Sequence, residues 1–96
     1  MLFAFLCTDK PNSLDLRLKM RADHLAYLAS LGTQMKTAGP FLDDVGSPNG
    51  SLVIVEAADR SEAEKIAEAD PYALAGLFAN VEIKAWKWAL KNPEAA

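Results

Sequence analysis

Cysteine, basic charge and long apolar runs are all scarce in this chain of 96 residues, and each shortage excludes a class of protein. The lone Cys7 can form neither an internal disulfide nor a thiolate metal cage, so the cytoplasm is the expected location. Ten Lys and Arg residues against thirteen Asp and Glu residues give a net charge of −3, which argues against a nucleic-acid partner. The apolar run at residues 2–7 is far shorter than the roughly 20 residues of a membrane span, so no membrane partner is expected.

The composition is typical of a folded globular domain. Apolar types make up 51% of the residues and charged types 24%. Because a core is commonly shared over about 100 to 150 residues, we expect a single domain over residues 1–96. No repeat or Ser/Gly-rich linker interrupts the chain, so any specific function must come from particular residues.

Hydrophobic periodicity and chain breakers predict four strands and two long helices. The strands are predicted at residues 2–8, 34–38, 52–55 and 81–88, and residues 39–50 are predicted to form a loop. The first helix should begin near Ser13 as its N-cap and end near Gly32. The second should begin at Ser61, in a capping box with Glu64, and stop before Pro71, which opens a short helical turn at 71–78. The order of these elements predicts an α+β, ferredoxin-like βαββαβ fold.

One face of the predicted sheet lacks a cover. Residues 2–6 and 52–55 are apolar on both sides of the pleat, whereas both helices would lie on the same face. Burial of apolar area is worth roughly 25 cal/mol per Å², so a bare face would drive association. We therefore predict a homodimer packed sheet to sheet, with a monomer whose own tail covers the face as the alternative.

Three polar residues share one flank of the first helix. Arg17, Arg21 and His24 follow one another at spacings of four and three residues, between two apolar ridges. One interpretation is structural, with arginine stems lying along the edge of the core and a buried, hydrogen-bonded histidine. The other is a cleft that combines two anion-attracting groups with a titratable base.

Asp70 continues the inward-facing row of the second helix, after Ala63, Ile66 and Ala67. A carboxylate at the C-terminal end of a helix is unfavourable unless a cation compensates it, so a partner is expected. Alternatively, because it precedes Pro71, Asp70 could simply cap the following turn.

Several segments together resemble the YCII-related domain family over almost the whole chain. They are Arg21-Ala22-Asp23-His24-Leu25, Ala38-Gly39-Pro40, Gly50-Ser51, Ala69-Asp70-Pro71-Tyr72 and Ala75-Gly76. The resemblance implies a dimeric α+β barrel and a His and Asp pair in a pocket of each subunit, carried onto His24 and Asp70. Arg21 corresponds to the Arg of the family motif and Ser51 to the polar residue that opens the third strand, whereas Arg17 has no clear counterpart.

These residues predict an acid–base enzyme of isomerase or lyase type. His24 would move a proton on a small cyclic or carboxylated molecule, Asp70 would orient it, and Arg21 would attract negative charge. We expect Arg17, Ser51, Tyr72, Gly39 and Pro40 to line the substrate site. Hydrolysis through a covalent intermediate is disfavoured, because Cys7 lies in an apolar strand and is expected to be inert. The alternatives are a non-catalytic module that binds a small ligand such as an anion, and a plain dimerisation domain.

No cofactor is expected. One His and one Asp are too few ligands for a stable metal site, which usually needs three or four. The segment at residues 46–50 is better interpreted as a turn than as a phosphate-binding loop. Haem bound by His24, conceivable for relatives of this barrel, is the weaker alternative.

Overall fold

A four-stranded antiparallel sheet forms the frame of the protein, whose computed structural model describes residues 1–94. The elements are β1 (Leu2–Asp9), α1 (Leu14–Ser30), β2 (Met35–Leu42), β3 (Pro48–Glu56), α2 (Arg60–Glu68), α3 (Pro71–Leu74) and β4 (Phe78–Trp86), with a 3-10 turn at Gly32–Gln34. The strand order is β2-β3-β1-β4. The predicted ferredoxin-like α+β fold is confirmed, and it is the protomer fold of the dimeric α+β barrel class.

The core lies between one face of this sheet and the helices. Its buried residues come from β1, β3, the segment after β3, and both long helices: Phe3, Phe5, Cys7, Val53, Val55, Ala57, Leu28 and Ala63. Side chains alternate along a strand, so the odd-numbered residues of β1 all point towards the helices. The same alternation directs Asp9, the last residue of β1, towards the helices. Asp9 is therefore a polar residue at the end of a row of apolar side chains.

The predicted cap of the second helix was wrong by two residues. The N-cap of α2 is Asp59, whose carboxylate accepts a hydrogen bond from the backbone N–H of Glu62 at 2.9 Å. The Glu62 side chain accepts the N–H of Ala58, the residue before the N-cap, at 3.4 Å, so Asp59 and Glu62, rather than Ser61 and Glu64, hold the start of the helix. Ser61 already lies in the first turn because Asp59 is the last extended residue before the helix. At α1, Ser13 holds the predicted cap position without a side-chain bond to the helix.

The predicted loop at residues 39–50 is largely a β-hairpin. β2 extends to Leu42 and β3 begins at Pro48, so only the short segment between them turns. Asp43 closes this turn, because its carboxylate accepts hydrogen bonds from the backbone N–H groups of Val45 and Ser47. The Pro and Gly content that suggested a loop is compatible with a strand here, since β2 lies at the sheet edge and Pro48 begins β3.

The last strand and the short helix have other boundaries than predicted, whereas the end of α1 is as predicted. β4 begins at Phe78, opposite Asp9, and ends at Trp86, opposite Leu2, rather than near residue 88, because β1 offers no further partner. The short helix α3 ends at Leu74, not at residue 78. Gly32 follows α1 in the left-handed region, with φ of +60°, and ends that helix as predicted.

The segment after β4 reaches the opposite edge of the sheet. Glu94 pairs with Lys36 of β2, at 2.8 Å between Oε1 and Nζ, although β4 and β2 are the two outer strands. The rings of Trp86 and Trp88 meet edge to face on the way, with centroids 4.8 Å apart. On the sheet face away from the helices, Leu2, Leu6 and Leu52 stay half-buried in the single chain. Within residues 1–94, no helix is long and apolar enough to cross a bilayer.

Candidate functional site

A cavity of about 250 Å³ lies between α1 and the strands β2 and β3. β2 is an edge strand and is exposed over most of its length, which leaves room beside α1 on this side of the sheet. Leu18 and Leu25 of α1 and Val53 of β3 give the cavity apolar walls. Such a space, largely apolar with a few polar groups, is typical of a small-molecule site.

The predicted site residues gather around this cavity. All of them except Asp70 line it: Arg17, Arg21 and His24 from α1, Gly39 and Pro40 from β2, Ser51 from β3, and Tyr72 from α3. Asp70 lies behind His24 and reaches the cavity only through the imidazole. Residues from four separate elements therefore meet at one cavity, while their roles stay predictions.

His24 and Asp70 are hydrogen-bonded in the interior. The Nδ1 atom of His24 lies 2.9 Å from each Asp70 carboxylate oxygen, and each residue is only 6% exposed. Asp70 is also the N-cap of α3, where Oδ1 accepts the backbone N–H of Tyr72 at 2.9 Å. Capping of α3 and pairing with His24 are not alternatives for Asp70, because the one carboxylate makes both sets of contacts.

The second ring nitrogen of His24 faces the cavity. A carboxylate accepts hydrogen bonds, so Nδ1 carries the proton and, in the neutral ring, Nε2 presents a lone pair. Nε2 has no hydrogen-bond partner within residues 1–94, and that part of the chain contains no fully buried side-chain N or O without a partner. Nε2 must therefore contact open space, and the space beside His24 is the cavity.

Arg17 is buried, which contradicts the structural interpretation of an arginine stem along the core edge. Its Nε and Nη2 donate to the two Asp9 oxygens at 2.6 and 3.0 Å, and Nη2 donates to Ser51 Oγ at 2.8 Å. Burial alone lowers the pKa of Arg17, but the hydrogen bond and the charge of Asp9 outweigh this and raise it above its ordinary value. The guanidinium is therefore permanently charged.

Sequence reasoning missed Asp9. The residue precedes Lys10, Pro11 and Asn12, so it was interpreted only as part of a strand-breaking segment. Its side chain is 5% exposed and it holds Arg17 in place. The signal was available in the alternation of β1, which points Asp9 to the same side as Cys7.

The ring of Tyr72 lies between His24 and Arg17. The imidazole stacks on it with centroids 3.9 Å apart and an interplanar angle of 14°, and Arg17 Cζ lies 4.7 Å from its centroid. Burial raises the pKa of the Tyr72 phenol, although the charges of Arg17 and Arg21 oppose this, so the hydroxyl is protonated at neutral pH. Arg21 itself is exposed at the cavity edge.

Cys7 lies below the site, paired in the sheet with Ser51. Burial, with a smaller contribution from the charge of Asp70, raises the pKa of its thiol from 9.0 to about 12. The reactive thiolate is therefore absent at neutral pH. Within residues 1–94, no group of three or more His, Cys, Asp and Glu side chains is placed to hold a metal ion.

The fold and this cavity define a small protomer of the α+β barrel class, with a largely apolar cavity that carries a few polar groups. The family model of the YCII-related domain matches residues 1–87, and the chain belongs to the YCII-related domain family. Protein YciI of Escherichia coli is 38% identical, with 91% of this chain and 97% of that protein covered.

Two solved structures extend the comparison. One is the 5-chloro-2-hydroxyhydroquinone dehydrochlorinase TftG from Burkholderia phenoliruptrix in complex with 2,5-dihydroxybenzoquinone, 39% identical to this chain with a TM-score of 0.82. The match covers 91% of this chain and 94% of that one. An antibiotic biosynthesis monooxygenase, 14% identical with a TM-score of 0.57, covers 93% of this chain and 99% of that one and shows the shared fold alone.

Proposed function

We propose that this protein is an acid–base enzyme of lyase or isomerase type, in which His24 moves a proton on a small cyclic molecule. The observation that carries the proposal is the buried His24, bound to Asp70 through Nδ1 and open to the cavity through Nε2. A base held in this way needs no rearrangement before it accepts a proton. The volume of about 250 Å³ suits a molecule with one ring.

In the proposed reaction, His24 Nε2 accepts a proton from the substrate. The imidazolium that forms faces the Asp70 carboxylate at 2.9 Å, and this charge stabilises it. The backbone N–H of Tyr72 holds the Asp70 carboxylate in place. Asp70 in turn fixes the tautomer and the orientation of the His24 imidazole. A positioned base of this kind typically contributes about 10² to 10⁴ in rate.

Elimination or isomerisation fits these groups better than hydrolysis through a covalent intermediate. The Ser51 hydroxyl is bound to Arg17 rather than to His24, and Cys7 is protonated and buried. Neither is an activated nucleophile. Among similar proteins, TftG is a dehydrochlorinase, and removal of HCl requires a proton acceptor, a role that His24 is suited to fill.

The same proposal includes a homodimer working in the cytoplasm. The sheet face away from the helices keeps Leu2, Leu6 and Leu52 partly exposed, and a second copy would cover them. The lone Cys7 does not call for an oxidising compartment. Sedimentation should give a dimer at micromolar concentration; a stable monomer there would contradict this part.

The experiment that tests the reaction uses 5-chloro-2-hydroxyhydroquinone as the trial substrate, with chloride release as the readout. We expect turnover by the wild type and a loss of about 10²-fold or more in His24→Ala. Lys19→Ala, on the exposed side of α1, is the matched control and should behave as the wild type. Binding without turnover by the wild type, unchanged in His24→Ala, would favour the non-catalytic binding module instead.

A further inference from the structure

Arg17 has one nitrogen that the protein does not use. Its Nε and Nη2 are bound to Asp9 and Ser51, whereas Nη1 has no hydrogen-bond partner within residues 1–94. No fully buried side-chain nitrogen in that range lacks a partner, so Nη1 must contact open space. Arg17 is only 4% exposed and lines the cavity, which is therefore the space that Nη1 meets.

The Tyr72 hydroxyl fits the same description. It has no hydrogen-bond partner within the described residues, yet Tyr72 is 1% exposed and lines the cavity. The raised pKa keeps this hydroxyl a donor. Nη1 of Arg17 and the Tyr72 hydroxyl are thus two buried donors, and Nε2 of His24 is an acceptor at the same cavity.

We infer that Arg17, assisted by the Tyr72 hydroxyl, binds an anionic oxygen of the substrate, so that the site is selective for a small phenol or enol that reacts or binds as its oxyanion. The inference rests on the proposed function for the proton transfer at His24. Arg17 is fixed by three hydrogen bonds and by the Tyr72 ring, so its free N–H groups are oriented before the ligand arrives. Asp9 and Ser51 act as positioning residues.

The free donors, rather than the net charge of the site, favour an oxyanion over a neutral ligand, because the Asp9 and Asp70 carboxylates offset Arg17 and Arg21. Asp9 balances the charge of Arg17, so the buried guanidinium is stable without a ligand. The N–H groups of Nη1 still belong to a charged group, so a hydrogen bond from them to an anion is stronger than one between neutral groups. Arg21 at the cavity edge adds a positive charge that the hydrogen bonds of the described residues leave uncommitted. Removal of a proton by His24 would place negative charge on a conjugated oxygen, and Arg17 would stabilise it.

The test uses para-nitrophenol, whose phenolate form absorbs visible light, and para-nitroanisole, its neutral methyl ether. We expect the wild type to bind the phenolate about 10-fold or more tightly than the ether, with a lowered apparent pKa of the bound phenol. Arg17→Lys keeps a charge for Asp9 but loses the fork of donors, and it should lose most of the preference while binding the ether unchanged. Arg21→Met should retain more than half of the preference, measured as a free energy.

Any of three results would overturn the inference: no binding of para-nitrophenol by the wild type at millimolar concentration, an unaltered preference in Arg17→Lys, or complete loss of it in Arg21→Met. If Arg17→Lys does not fold, the Arg17 guanidinium resonances of the wild type decide, because they should shift with phenolate and not with ether. His24→Ala separates the two proposals. It should keep the Arg17-dependent preference while losing turnover, so the subsite and the proton transfer can fail independently.

Discussion

Asp70 and His24 meet across the gap between α3 and α1, with both carboxylate oxygens 2.9 Å from Nδ1. One of those oxygens also caps α3 through the N–H of Tyr72, and the Tyr72 ring stacks on the same imidazole. The cap, the carboxylate and the aromatic surface therefore form one closed set of contacts around His24. Local folding at the start of α3 and the orientation of the proposed base depend on the same residue.

The two roles of Asp70 can be separated by substitution. Asp70→Asn retains an oxygen that can cap α3, so the melting temperature should change little, but it lacks the charge that holds the Nδ1 tautomer. Turnover of the trial substrate should fall by about 10²-fold or more. Asp70→Ala should lose the activity and also about 1 kcal/mol of stability with the cap. Full activity in Asp70→Asn would remove the carboxylate from the mechanism.

The ion pair between Asp9 and Arg17 should contribute strongly to the free energy of unfolding. Removal of one partner leaves the other as a buried, uncompensated charge, which commonly costs about 3 to 5 kcal/mol. We therefore expect Asp9→Ala to lower the free energy of unfolding, measured in urea, by about that amount. The double variant Asp9→Ala with Arg17→Met should lose clearly less than the sum of the single changes. Additive losses would mean that the two side chains do not act as a pair.

Much of the site could be predicted because it depends on local spacing. Arg17, Arg21 and His24 share a flank of α1 as a consequence of helical geometry. Asp70 was predicted from the helical phase of α2, but α2 ends at Glu68 and Asp70 is extended, so that argument does not hold. The contact between His24 and Asp70 could only be expected, because it depends on how α1 and α3 pack. The resemblance to the family supplied the pairing that spacing alone left open.

The errors have physical causes too. Asp9 precedes a polar, Pro-containing segment; the alternation of β1 indicates which side it faces, but not that Arg17 will be buried next to it. The prediction of a loop at residues 39–50 was wrong. Gly and Pro usually interrupt strands, but the pairing of the edge strand β2 with β3 outweighs that preference. Long-range pairing decided both cases, and it is the least visible feature of a single sequence.

Cys7 gives a prediction for alkaline pH. The folded state holds the thiol proton up to a pKa of about 12, and the unfolded chain releases it near 9.0. Between these values the unfolded state binds fewer protons, so the free energy of unfolding should fall as pH rises. The decline between pH 9 and 11 should be steeper in the wild type than in Cys7→Ala, as measured by urea unfolding. Alkylation of native Cys7 should also be slow and limited by opening of the fold; parallel curves and rapid alkylation would show an accessible thiol.

Gly50 of β3 has no room for a side chain against the backbone of β1. A Cβ at this position would lie 2.5 Å from the backbone oxygen of Cys7 and 3.2 Å from Cδ2 of Phe41. The oxygen belongs to β1, one of the two inner strands, and cannot move without disturbing the pairing of β1 with β3 and β4. We therefore expect Gly50→Ala to destabilise the fold by about 1 to 3 kcal/mol, the usual cost of overpacking.

Gly39, in the neighbouring strand β2, is the matched control for Gly50. A Cβ there would meet no atom within 4 Å, and its φ lies outside the left-handed region. Gly39→Ala should therefore leave stability unchanged or raise it slightly, through the lower entropy of the unfolded chain. Urea unfolding of the two variants measures the difference directly. Equal stabilities would mean that β1 and β3 separate locally to admit a methyl group, and the pairing of Cys7 with Ser51, next to Gly50, would then be looser than the ladder implies.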